Sequence, residues 1–342
     1  MYRLADGNGT GPADGKGKRR GILRRVLAGA ALLAAACAAL PGVAATYPDK
    51  PVRIIVPNPA GGASDVLARL LAKELNAVWH QPVVVENRAG ANGNIGAAFV
   101  AKADPDGYTL LMMDMSSLAI SPSLYPDLNY SPSKDLAPVA IVAYSPHILV
   151  VRNSLPVSNV RELAAYAKAH PGQLNFGETP GAITHLAGIV LADKQGFSWN
   201  YVGYKGGAQV LSDLAGGQID AAMNSFLATY PLVKGGKIKL LAVASPQRFS
   251  QIPDTPTIAE TVPGFVTGSW QGLMTTAGTP PGVIDKIHRD IETVLAQPQV
   301  LKQFADLGSE PVRKTPAEVG AWMAEQTAYW GKVVRDANIK LQ

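Results

Sequence analysis

Three loops in this sequence set glycines beside hydroxyl or basic side chains where an apolar run gives way to a helical pattern. They are Pro59-Ala60-Gly61-Gly62-Ala63-Ser64-Asp65, Thr179-Pro180-Gly181-Ala182-Ile183-Thr184-His185 and Tyr204-Lys205-Gly206-Gly207-Ala208. The chemistry that suits such loops is anion capture. The first N–H groups of a helix have no acceptor within it, the helix dipole is positive at that end, and glycine lets a ligand approach the backbone. In open α/β sheets ligands lie there, beyond the carboxyl ends of the strands. Each loop taken singly is also what an ordinary tight turn looks like, so the argument needs two lobes bringing such loops to one cleft. Covalent and redox chemistry find no matching pattern: the sequence has no G-x-S-x-G, no Walker loop, no G-x-G-x-x-G and no H-E-x-x-H. The five histidines, His80, His147, His170, His185 and His288, are dispersed and none pairs at metal-ligand spacing. Ser131-Pro132-Ser133-Lys134 fits S-x-x-K but lies among prolines, where a loop cannot present the lysine from the next helical turn. The reading calls for no catalytic residue, no metal and no cofactor.

The elements that must position these loops follow a βα rhythm. Residues 52–57 form a β-branched run expected to be a buried parallel strand. The first loop follows, then a helix with Val66, Leu67, Leu70, Leu71, Leu75 and Val78 on its apolar face. Residues 83–85 and 108–113 are the next strands, with a small-residue helix between them. This βαβαβ order argues a doubly wound, mostly parallel sheet. The rhythm resumes with strands at 147–151, 174–176, 200–202, 219–223 and 239–244, and an apolar run at 271–276. The rest is helical: Pro280-Pro281 opens one helix, and Thr315-Pro316-Ala317-Glu318 is a capping box with proline at the first helical position.

Composition narrows the class. The chain has 342 residues, 47% of them apolar and 17% charged, which is enough for two globular domains. Its single cysteine, Cys37, excludes a disulfide framework. The net charge of +5 comes from the N-terminus: residues 1–45 hold seven Lys/Arg and two Asp, leaving 24 of each sign downstream. The body is therefore not a nucleic-acid binder by charge. Residues 16–25 are basic, 26–40 are apolar and Pro41-Gly42-Val43-Ala44-Ala45 offers small residues to a signal peptidase. Residues 1–45 read as a secretory signal, whose apolar stretch 26–40 is shorter than the ~20 residues of a spanning helix. Arg19-Arg20 leaves a twin-arginine route open beside the general one, and Ala34-Ala35-Ala36-Cys37 leaves a lipoprotein anchor open.

Ordered segments of the chain resemble a known family. Tyr47-Pro48-Asp49-Lys50-Pro51-Val52-Arg53-Ile54-Ile55-Val56-Pro57, followed by Pro59-Ala60-Gly61-Gly62 and Asp65, is similar to the opening of the Bug family, the periplasmic substrate-binding proteins of tripartite tricarboxylate transporters. Gln81-Pro82-Val83-Val84-Val85-Glu86-Asn87-Arg88, Gly93-Asn94-Ile95-Gly96-Ala97, Pro105-Asp106-Gly107-Tyr108-Thr109-Leu110, His185-Leu186-Ala187-Gly188 and Asp254-Thr255-Pro256-Thr257 continue the match. The resemblance implies an α/β fold of two lobes, type II-like, with lobe 1 at 47–146 plus 268–342, lobe 2 at 147–267 and the ligand between them. It implies a monomeric periplasmic receptor that hands a small organic acid, amino acid or aromatic carboxylate to membrane subunits of a transporter. A ligand sensor for a membrane kinase, or an enzyme on the same fold, are the competing functions.

In that family a carboxylate is held by backbone N–H groups, hydroxyls and waters rather than by arginine, and here no arginine falls in the three loops. The resemblance thus assigns ligand contact to Ala60, Gly61, Gly62, Ser64, Ser116, Thr179, Gly181, Ala182, Thr184, His185, Tyr204, Lys205, Gly206 and Asn224. Asp65, at a helix start, reads better as a cap or water holder. Two positions depart from the family pattern, Asp114 after the third strand and Glu178 before Thr179. If both carboxylates face the ligand without partners, the ligand should carry an amine, amide or hydroxyl donor beside its carboxylate.

Overall fold

The structure, a computed structural model, describes residues 47–339. Residues 1–45, read above as a signal from the sequence, lie outside them with Arg19, Arg20 and Cys37. The account below concerns the compact unit that begins at Lys50. No helix among the described residues is long and apolar enough to cross a membrane.

The chain runs β1 (Val52–Val56), α1 (Ala63–Trp79), β2 (Val83–Asn87), α2 (Asn94–Ala101), β3 (Thr109–Asp114), α3 (Met115–Leu124) and β4 (Leu136–Arg152). It continues through α4 (Val160–Ala169), β5 (Asn175–Glu178), α5 (Ile183–Gln195), β6 (Asn200–Gly203), α6 (Gly207–Ala215), β7 (Ala221–Ser225), α7 (Phe226–Lys234) and β8 (Ile238–Val243). It closes with β9 (Gly268–Thr276), α8 (Pro281–Leu295), α9 (Pro298–Asp306) and α10 (Pro316–Asp336). The strand order is β2-β1-β3-β9-β4-β7-β5-β6, with β8 also on β4. β1 pairs in parallel with β2 and β3, and β5 with β6 and β7, as the βαβ rhythm requires.

The sheet is more mixed than the sequence suggests, because two strands cross from one half to the other. β9 is antiparallel to both β3 and β4. β4 is 17 residues long, where the sequence pattern shows only its last part. Its first stretch pairs with β9 as far as Pro146, and from His147 it pairs with β7 and β8. Pro138 and Pro146 hide this strand from a pattern reading. Proline donates no ladder bond, and Pro138 sits where the β4–β9 register shifts, the kind of irregularity that tolerates it.

Two apolar clusters flank this crossing. One gathers Ile55, Leu111, Met113, Leu118, Ile141 and Met274. The other gathers Leu149, Phe176, Leu186, Trp199, Met223 and Leu241. α10 serves both: Val319 and Met323 pack in the first, Trp330 and Val334 in the second. The capping box opens this helix, with Glu318 N–H donating to Thr315 Oγ1 at 3.3 Å and Thr315 N–H to Glu318 Oε2 at 2.8 Å.

Candidate functional site

Two helix starts meet at one cleft. A cavity of about 720 Å³ is lined by residues 58–60 and 62–64 from the β1–α1 turn and by residues 205–209 from the β6–α6 turn. Asp114 and Gln271 complete the lining. Both turns follow the carboxyl ends of parallel strands, where the chain leaves a ladder and a helix begins with free N–H groups. The exposed Lys205 adds a positive charge to the same wall. The site is therefore built to take negative charge, with N–H groups from α1 on one side and from α6 on the other.

The first turn is held open by Asp65. Its carboxylate accepts from Gly61 N–H at 2.9 Å, from Asn87 Nδ2 at 2.9 Å and from Arg69 Nε at 3.0 Å and Nη2 at 2.9 Å. These bonds, the Arg69 pairing first, hold the acid down to about 2 against the opposing effect of burial. Asp65 therefore works as a brace within the turn, as its place at the helix start suggests. The brace also uses the Gly61 N–H, so Gly61 contributes shape and not a donor. Its φ of +84° is what bends the turn, a conformation that favours glycine. Asp65→Asn should cost about 1–3 kcal/mol at pH 7 in urea denaturation. The folded-state value lies below the unfolded one. The contribution is therefore fully present above pH 4, and the gap between variant and parent should close as pH falls toward 2. A gap unchanged between pH 6 and pH 3 would contradict the assignment.

The floor of the cleft is a directed chain of hydrogen bonds. Ser64 Oγ donates to Gln271 Oε1 at 2.7 Å, and Gln271 Nε2 donates to Ser269 Oγ at 2.6 Å. Ser269 in turn donates to Asp114, whose carboxylate also accepts backbone N–H bonds from Ser116, Ser117 and Trp270. Burial raises the Asp114 acid and these bonds oppose it. Asp114 does border the cleft, but it is the N-cap of α3 and its lone pairs are taken. It therefore does not require a donor from the ligand, which corrects the expectation of an unpartnered carboxylate there.

The remaining residues picked from the sequence are placed as follows. Ala60, Gly62, Ser64, Lys205 and Gly206 line the cleft. Ser116 is buried and gives its N–H to Asp114. Tyr204 turns its hydroxyl to Asp213 Oδ2 at 2.8 Å, and Asn224 Nδ2 braces the Gly207 carbonyl at 3.1 Å, so both support α6 from within. The Thr179 loop does not join the other two in this cleft. Thr179 accepts from Ala182 N–H at 2.9 Å and Thr184 is half-buried in the first turn of α5. Gly181 and His185 line a separate cavity of about 480 Å³. Glu178 is buried beside His185, 3.4 Å from Nδ1, and not on the main cleft. Gln271 and Ser269 were not singled out from the sequence. The available signal was a polar side chain at the head of an apolar run, on a strand that packs beside Asp114.

Among the described residues no cluster of three His, Cys, Asp or Glu side chains could hold a metal ion. The comparisons with known proteins agree with the geometry. The model of the tripartite tricarboxylate transporter family receptor matches residues 67–339. Protein BugT of Bordetella pertussis (strain Tohama I) is 37% identical over 313 residues, 91% of this chain and 96% of the relative. The structure described as R. palustris Rpa4515 with adipate is 34% identical, with a TM-score of 0.77 over 86% of this chain and 100% of that one. MatC from Rhodopseudomonas palustris with bound malate is 31% identical, with a TM-score of 0.72 over 84% of this chain and 100% of that one. With this coverage and a two-lobe α/β periplasmic binding protein fold, the chain belongs to the tripartite tricarboxylate transporter family of receptors, Bug-type solute-binding proteins and not enzymes.

Proposed function

We propose that this receptor captures a small carboxylate-bearing molecule between the starts of α1 and α6 and delivers it to the membrane subunits of a tripartite tricarboxylate-type transporter. The observation that carries the reading is the pairing of two helix N-termini with Lys205 around one cleft. Two relatives hold adipate and malate, both carboxylates. The proposed location is the periplasm, reached through the N-terminal signal segment. The proposed lobes divide near 146/147 and 267/268, where β4 changes partners and β9 begins. Ligand would draw the α1 and α6 ends together about that crossing, which makes the receptor a clamp. The test is thermal shift of the purified protein across aliphatic, aromatic and amino acids, each beside its amide. A carboxylate at 100 times its dissociation constant should add ~2.7 kcal/mol of stability, and its amide far less. Equal shifts from acids and amides, or none from any acid, would contradict the reading.

A further inference from the structure

The chain of hydrogen bonds on the floor of the cleft has a polarity, and Asp114 sets it. Its carboxylate takes three backbone N–H groups, from Ser116, Ser117 and Trp270. A group held by three N–H donors is the acceptor at the end of the chain, so Ser269 gives it its only proton. Ser269 Oγ can then only accept from Gln271. The oxygen and nitrogen of an amide have the same shape, so the neighbours decide which way it faces. Here they leave one arrangement: Gln271 Nε2 donates to Ser269 at 2.6 Å, and Gln271 Oε1 accepts from Ser64 at 2.7 Å. The proton of Ser64 is thereby committed. Toward the cleft its Oγ offers lone pairs alone.

Both ends of that last bond are nearly sealed from water, Ser64 at 5% exposure and Gln271 at 4%, and both line the cleft. Gln271 keeps a second N–H in either orientation of its amide, so the Ser64 hydroxyl is the group whose role depends on the chain. Ser64 stands in the first turn of α1, two residues after the N-cap Gly62. It therefore meets a carboxylate seated on that helix start, or the carbon next to it. A carboxylate oxygen gains nothing from a second acceptor, whereas a hydroxyl or ammonium on the adjoining carbon can donate to it.

We propose that Asp114, acting through Ser269 and Gln271, is a positioning residue that makes Ser64 an acceptor and so selects acids with a hydroxyl or amine beside the carboxylate over plain acids of the same length. The donor is called for by Ser64 and not by Asp114, whose own lone pairs are taken. The inference rests on the carboxylate reading above and narrows its substrate class. One substitution should reverse the chain. Asp114→Asn keeps a good N-cap residue for α3, with its oxygen on the Ser116 and Ser117 N–H groups and its amide donating to Ser269. Ser269 is then free to donate to Gln271, the Gln271 amide turns over, and Nε2 donates to Ser64. The Ser64 proton becomes available to the ligand, where it favours a plain carboxylate. The lost bond from Trp270 N–H lowers stability, which a ratio of two affinities does not read.

Titration calorimetry with each enantiomer of malate against succinate, and with 2-hydroxyadipate against adipate, tests it, since each pair differs by one hydroxyl. In the parent the hydroxy acid of a pair should bind about tenfold more tightly than the plain acid. In Asp114→Asn that ratio should fall to about one or below, with the plain acids gaining affinity. Ser64→Ala, which removes the acceptor, should also bring the ratio to about one. Equal affinities within both pairs in the parent, or an unchanged ratio in Asp114→Asn, would overturn the inference while leaving the carboxylate reading intact. Failure of every acid in the thermal-shift panel would instead overturn the carboxylate reading. The polarity has a ligand-free readout as well: the Gln271 side-chain amide protons should show nuclear Overhauser contacts to Ser269 in the parent and to Ser64 in Asp114→Asn. The same contacts in both proteins would also overturn it.

Discussion

Gly62→Val should weaken ligand binding by about a hundredfold or more, ~2.8 kcal/mol, while changing stability by only about 1 kcal/mol. Gly62 is the N-cap of α1, at φ −75° and ψ 168°, an extended conformation that valine adopts readily. The nearest atom a new Cβ would meet is Pro59 O at 3.5 Å, an ordinary contact. The added methyl groups would therefore fill the cleft and shield the first N–H groups of α1 without forcing the fold. Gly61→Val is the instructive comparison. It has open space but a φ of +84°, so it should lose about 1–3 kcal/mol of stability through backbone strain. Titration calorimetry and urea denaturation of both variants separate the two effects. Normal ligand affinity in Gly62→Val would move the binding site away from α1.

The largest effect on stability should come from Trp330→Ala, a loss of about 3–5 kcal/mol in urea denaturation. Trp330 is 2% exposed, bonds Gln326 Oε1 through Nε1 at 3.0 Å, and packs in the cluster that contains Leu186 and Leu191 of α5 and Ile120 and Leu124 of α3. Removing the indole leaves a cavity where α10 meets the second cluster. Its neighbour on the helix, Lys332, is exposed and pairs with Asp336 at the surface, so Lys332→Ala should stay within about 0.5 kcal/mol. Equal losses from the two variants would contradict the packing assigned to α10.

These two variants also mark what the sequence could and could not reveal. Gly62 was legible because a β-branched run, a glycine pair and an amphipathic helix stand in local order, and each signal reports on its own neighbours. The bridging role of α10 was not. The sequence shows Val319, Trp322, Met323, Trp330 and Val334 along this helix, yet Met323 and Trp330 belong to different clusters, and only the three-dimensional path of the chain decides which. β4 was half legible because Pro138 and Pro146 break the strand pattern, Pro138 where its pairing with β9 is irregular. At the site, the loops were found by composition, but their grouping depends on which helix starts face one another. Asp65 could be assigned locally, since its partners Gly61 and Arg69 are four residues away on either side. Asp114 could not, because Ser269 and Trp270, which share in satisfying it, come from a strand more than 150 residues later. The Glu178–His185 pair fell between these cases: both residues were noticed, and their 3.4 Å approach is seen only in the structure.

The central claim is that backbone N–H groups at the starts of α1 and α6 hold a ligand carboxylate. A crystal structure of the receptor with a carboxylate from the thermal-shift panel tests it most directly. The account predicts carboxylate oxygens within hydrogen-bond distance, about 2.7–3.2 Å, of N–H groups in residues 62–64 and 206–208, with Lys205 close by and Asp65 still bonded to Gly61. A carboxylate bound away from both helix starts, or held there by side chains alone, would contradict it.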